Sequence, residues 1–131
     1  MCIRDRVCTS QDSKNKRFRC ALHVEHNGHS ILVDTGPDLR TQALTYSVNR
    51  VDAVLFTHGH ADHLYGLDDV RSYCFEREDP LPCYADARTI ERIKRVFDYA
   101  FDANAPSATP QIELVEIEGD FNLFDLSLIH I

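Results

Sequence analysis

The sequence predicts an α/β fold, and three observations carry that reading. Stretches with the two-residue alternation of strands are interleaved along the chain with stretches of helical period, the pattern of a sheet joined by crossover helices. The run Val51-Asp52-Ala53-Val54-Leu55-Phe56-Thr57 is apolar at nearly every position, as expected of a strand buried on both faces. Further on, Ile90, Ile93, Val96, Phe97, Ala100 and Phe101 recur at helical spacing, an apolar stripe suited to packing on that sheet.

The elements follow in order. Residues 20–26 and 30–34 alternate as two strands, and Asn27-Gly28 between them is a strong signal for a two-residue hairpin turn. His23, His26 and His29 belong to this hairpin and are expected to face solvent rather than to hold a metal. Cys20 alternates with Leu22 and Val24, and Cys83 lies in a short strand, so both read as small buried hydrophobes; Cys74 has no clear reading. Residues 37–47 read as a short helix or turn with Leu39, Ala43 and Leu44 inward, residues 51–57 as the buried strand, and residues 62–73 as one helix. A charged loop at 76–80 precedes a short strand at 82–85. The amphipathic helix at 87–101, a polar loop at 102–110, a strand at 112–118, the Gly119-Asp120 turn and a further strand from Phe121 complete the chain.

Composition narrows the function classes. At 131 residues, net charge −7 and 44% apolar residues, the chain has the length of at most one domain and an ordinary globular balance. Its acidity argues against a broad nucleic-acid footprint. No stretch offers a membrane span, and the N-terminus lacks the apolar core of about 7–15 residues that marks a secretory signal. The five cysteines, Cys2, Cys8, Cys20, Cys74 and Cys83, are odd in number and irregularly spaced, which is no disulfide framework and favours a reducing cytoplasm. No internal repeat, low-complexity run or linker interrupts the chain, and a homodimer is compatible with everything in it.

Directly behind the buried strand, His58-Gly59-His60-Ala61-Asp62-His63 places four metal-ligand side chains in one strand-to-helix turn. His58 and His60 alternate by two, so on an extended backbone both point to one side and can grip one ion. Asp62 and His63 follow where the pattern turns helical and would face a second. Imidazole nitrogen and carboxylate oxygen suit zinc, and also manganese or ferrous iron. The competing reading is a solvated polar turn in which Asp62 merely caps the helix.

The string Thr57-His58-Gly59-His60-Ala61-Asp62-His63-Leu64-Tyr65-Gly66 resembles the His-x-His-x-Asp-His signature of the metallo-β-lactamase superfamily of metal-dependent hydrolases. Its continuation, Gly66-Leu67-Asp68-Asp69-Val70-Arg71, is similar to that of the PhnP-like cyclic phosphodiesterase branch. Ile31-Leu32-Val33-Asp34-Thr35-Gly36-Pro37-Asp38 resembles the same branch's strand that ends in Asp-Thr/Ala-Gly-Pro-Asp. There the resemblance implies that Asp34 lies behind the metal ligands and orients them; as a bare residue it reads equally as an acidic opening to the turn at Gly36 and Pro37. Cys8 matches the last cysteine of that branch's Cys-x-Cys-x-x-Cys structural-zinc segment. The resemblance further implies a four-layer αββα sandwich, of which this chain supplies approximately the N-terminal half, with two metal ions at one edge of the sheets.

The opening Met1-Cys2-Ile3-Arg4-Asp5-Arg6 and the closing Ser127-Leu128-Ile129-His130-Ile131 resemble translated adapter sequence, so residues 7–126 are taken as the partial domain and residues 1–6 and 127–131 as non-native ends. Cys2 and His130 are accordingly expected to have no role. The activity the resemblance implies is hydrolysis of a small-molecule phosphodiester by a hydroxide bridging two ions, with His58, His60, Asp62 and His63 as ligands and Asp62 also orienting the hydroxide. Because further ligands of the family lie beyond the residues present, the chain alone is expected to be inactive. Thioester or lactone hydrolysis, RNA processing, and a non-catalytic metal-binding role on the same fold stand as alternatives.

Overall fold

Asn27 (φ 49°) and Gly28 (φ 78°) form the tight turn that folds β1 (Leu22–His26) back on β2 (His29–Val33), with Leu22 opposite Val33 and His26 opposite His29. Two positive φ values in sequence give a twist that matches antiparallel strands, and glycine takes one of them without cost. The computed structural model describes residues 6–102 and 108–129. In it β2, β3 (Ala53–Leu55), β4 (Leu81–Ala85) and β5 (Ile112–Glu116) run parallel, completing a five-stranded sheet in the order β1-β2-β3-β4-β5. The crossovers carry α1 (Leu39–Tyr46), then α2 (Ala61–Leu64) with a 3-10 segment at Leu67–Tyr73, then α3 (Ala87–Val96) with a 3-10 turn at Asp98–Phe101.

Strand alternation sends successive side chains to opposite faces, and both faces are covered. On one, Leu32, Val54, Phe56, Leu81, Cys83 and Ala85 pack against Leu39, Leu64, Leu67, Val70, Ile90, Ile93 and Phe97 of the helical layer. On the other, Ile31 and Ala53, with Val24, Leu55 and Tyr84, meet Phe121, Leu123, Phe124, Leu126 and Leu128. These last belong to a second, two-stranded sheet, β6 (Asp120–Leu123) paired with β7 (Leu126–Ile129) across a turn at Phe124 and Asp125. Helices, sheet and hairpin thus form three successive layers. Each fully buried Leu, Ile or Phe contributes about 1.5–3 kcal/mol over its exposed state, against about 0–1 kcal/mol for a surface ion pair such as Arg19–Asp38. The two apolar interfaces therefore fix the architecture.

Several local expectations are corrected. The single helix expected over 62–73 breaks after Leu64, and the chain resumes as 3-10 turns from Leu67. The cause lies at Gly66, whose N–H donates to the Thr35 carbonyl at 2.7 Å and whose absent Cβ would overlap the Gly36 carbonyl oxygen. Leu44 is exposed, because Leu39 and Ala43 share one face of α1 and the next position turns away from it. Cys20 precedes β1 and is exposed rather than buried. His23 and His29 are not simply solvated: His23 Nε2 lies 2.8 Å from Ser30 Oγ, and the His29 ring stacks on Phe124 at 3.9 Å between centroids. The strand expected to run through 121–126 turns at Phe124 and Asp125, both at positive φ, and residues 127–129 pair back on 120–122. The helix at 87–101 ends at Val96, where Phe97 leaves helical backbone at φ −117°, ψ 39°. Residues 103–107 of the 102–110 loop, Cys2 and His130 lie outside the described residues.

Candidate metal centre

Three parallel neighbours, β2, β3 and β4, end at the same edge of the sheet, where ligand sites of open α/β sheets form. Asp34 follows β2, Thr57 to His63 follow β3, and Asp86 follows β4. Asp34 is buried and sits in the left-handed region at φ 65°, a conformation that L-residues other than Asn and Asp seldom adopt. Its N–H donates to the Leu55 carbonyl at 2.8 Å, so the strand's own ladder holds the turn in place.

The Asp34 carboxylate is fully employed. Oδ1 accepts from the Thr57 N–H at 2.9 Å; Oδ2 accepts from Thr57 Oγ1 at 2.8 Å and lies 2.7 Å from His63 Nδ1. A carboxylate accepts only, so the proton of the neutral His63 ring belongs on Nδ1 and the lone pair on Nε2, which lies 3.8 Å from Asp62 Oδ2. Thr57 Oγ1, having given its hydrogen to Asp34, accepts from His58 Nδ1 at 2.9 Å. That leaves the His58 Nε2 lone pair directed at His60 Nδ1, 3.0 Å away. One carboxylate thereby sets the tautomer of two imidazoles, His63 directly and His58 through Thr57.

These donors fit a divalent ion. Two nitrogens sharing a tetrahedral zinc, each at about 2.0–2.1 Å, stand about 3.3 Å apart, near the 3.0 Å between His58 Nε2 and His60 Nδ1. Among the described residues no three His, Cys, Asp or Glu side chains are gathered around one point. Asp62 is half-exposed and does not cap α2, whose N-cap is His60 without a side-chain bond. Cys8 is exposed, and its carbonyl lies 3.5 Å from Lys16 Nζ.

Two close approaches compress the site. Thr35 N–H donates to the His63 carbonyl at 2.8 Å, and a Cβ on Gly36 would stand 2.5 Å from the Asp62 carbonyl oxygen. Behind them the 66–71 segment is anchored by fully buried Leu67 and Val70, while Asp68 accepts from the Tyr99 hydroxyl at 2.8 Å and pairs with Arg71 at 3.1 Å. Burial first, and Asp68 second, push the Tyr99 phenol up to about 12. In the sequence nothing marks Tyr99 for this contact, and Thr57 is marked by its place immediately before His58 alone.

The beta-lactamase superfamily domain model matches residues 29–130. The chain is 40% identical over 126 residues to an octanoyltransferase of Porphyromonas gingivalis, covering 94% of this chain and 25% of that protein. It is 28% identical over 113 residues to a ribonuclease Z of Clostridium kluyveri, covering 79% and 34%. Among solved structures, a diphosphatase from the PhnP family superposes with a TM-score of 0.84 at 37% identity, over 96% of this chain and 48% of that one. The chain therefore spans about a quarter to a half of the length of these relatives.

Proposed function

The chain belongs to the beta-lactamase superfamily domain family and has the metallo-β-lactamase fold, and from that premise we propose that it carries the metal-gripping portion of a phosphodiester hydrolase. The observation that bears most weight is the convergence of His58 Nε2 and His60 Nδ1 at 3.0 Å, with His63 Nε2 turned toward Asp62 by the Asp34 contact. His58 and His60 would hold one divalent ion, and Asp62 and His63 another; zinc or manganese suits these donors, and iron as well. When bound, a divalent ion would lower the pKa of a coordinated water toward neutrality and offset charge on the phosphoryl oxygens. Asp34 and Thr57 keep ligand nitrogens unprotonated on the inner side, and the exposed Asp62 carboxylate can accept a hydrogen bond from the attacking water and so aim it.

The phosphodiester preference draws on the diphosphatase likeness and on the similarity of residues 66–71 to the PhnP-like branch. With one pair of ligands for each ion among the described residues, and catalytic zinc ordinarily held by three protein groups, this chain by itself should be inactive. A structural zinc at Cys8 and a cytoplasmic setting belong to the same reading. The octanoyltransferase relative favours a second one, acyl or thioester chemistry, and the ribonuclease Z relative an RNA substrate. A longer protein containing this chain, assayed on a 2′,3′-cyclic nucleotide, bis(p-nitrophenyl) phosphate, a pre-tRNA and a thioester, should turn over the small phosphodiesters fastest. Turnover of the thioester alone would reject the proposal, and metal uptake without any turnover would favour a non-catalytic role.

A further inference from the structure

Beside the histidines, a cavity of about 270 Å³ opens between the His58–His60 turn and the start of α3. His58 and His60 form one wall; Arg88 and Arg92 form the other. The two arginines are four residues apart on α3 and so lie on one face of the helix. Gly59 permits the close approach, since a Cβ there would stand 3.3 Å from both Cβ and Cγ of Arg92.

Charge in this cavity is unbalanced. Arg19, Arg50, Arg71 and Arg77 each pair with a carboxylate, whereas Arg88 and Arg92 have no ion pair among the described residues. Asp86 is the acidic side chain in the wall, and one of its oxygens caps α3 by accepting from the Thr89 N–H at 2.8 Å. In a chain of net charge −7, two guanidinium groups against the single carboxylate of Asp86, beside two candidate metal ligands, form a locally cationic recess. Guanidinium forks match the oxygens of a phosphoryl group and have no comparable partner in a neutral thioester or lactone.

We infer that Arg88 and Arg92 form an anion subsite that positions a phosphoryl group against His58 and His60. This deepens the phosphodiester reading and rests on it for the identity of the anion. The arginines would bind non-bridging oxygens and orient the group without making or breaking a bond.

The test is calorimetric titration of the full chain with inorganic phosphate after chelation of metals, so that no ion contributes to binding. Arg88→Gln/Arg92→Gln keeps the Cβ and Cγ that pack on Gly59 and removes both charges. Lys94→Gln/Arg95→Gln removes two charges from exposed positions on α3 that do not line the cavity. Loss of about tenfold or more in phosphate affinity is expected for the first variant, with salt dependence to match, and little change for the second. Equal affinities in the parent and the first variant, equal losses in both variants, or no phosphate binding by the parent would overturn the inference. In the longer protein, an unchanged KM for bis(p-nitrophenyl) phosphate in the first variant would also overturn it while leaving the hydrolase reading intact. Absence of phosphodiester turnover would reject the hydrolase reading, but the calorimetric difference would still stand on its own.

Discussion

Asp34 and His63, separated by 29 positions in the chain, meet with 2.7 Å between Oδ2 and Nδ1. The contact spans two neighbouring parallel strands, one ending in Asp34 and the other leading into the histidine turn. It directs the second imidazole nitrogen toward Asp62, and through Thr57 it governs His58 as well.

Asp34→Asn tests that relationship. An amide nitrogen facing His63 Nδ1 would favour the opposite tautomer and place the ring proton on the nitrogen needed for a metal. Zinc or manganese affinity should fall about 10–100-fold, measured by calorimetry. Unchanged affinity would show that the carboxylate holds the turn without tuning the ligand.

Asp62→Ala separates chemistry from folding. Its side chain is 52% exposed, so the change should alter the unfolding free energy by no more than about 0.5 kcal/mol. Phosphodiester turnover by a longer protein containing this chain should nevertheless disappear. Retained turnover would remove Asp62 from the proposed machinery.

Gly66→Ala and Gly36→Ala drive a Cβ into backbone carbonyls rather than into side chains that can move. Each should cost about 1–3 kcal/mol or more, read from urea midpoints. Stability equal to the parent's would mean that the Thr35–Gly66 contact is looser than its 2.7 Å hydrogen bond indicates.

Alkaline pH probes Tyr99, whose phenol is pushed up to about 12 by burial and by Asp68. The folded state holds that proton more tightly than the unfolded chain, whose phenol titrates near pH about 10. The resulting stabilisation is complete below about pH 10 and is lost as pH rises toward 12. Tyr99→Phe should therefore flatten the decline of urea midpoints over this range relative to the parent. Identical declines would place the proton elsewhere.

Thiol labelling distinguishes the cysteines. Cys8 and Cys20 are exposed and should react with a disulfide reagent at once. Cys74 and Cys83 are buried, and burial pushes both thiols up, so they should react only on unfolding. Fast labelling of Cys83 would contradict a closed sheet–helix interface.

Much was legible in the sequence because its signals are local. The Asn27-Gly28 turn, the buried β3 strand and the spacing of His58, His60, Asp62 and His63 each follow from the chemistry of a few adjacent residues. Tertiary structure decided the rest. Whether Asp34 merely opened a turn or also reached His63 depended on β2 lying beside β3, and the break after Leu64 came from the Gly36 carbonyl pressing on Gly66. Arg88 and Arg92 lie beside the histidine turn because the β3–β4 pairing brings α3 against it. Periodicity determines which face of an element is apolar, but the neighbour it meets is selected by strand order, through contacts between residues far apart in the chain.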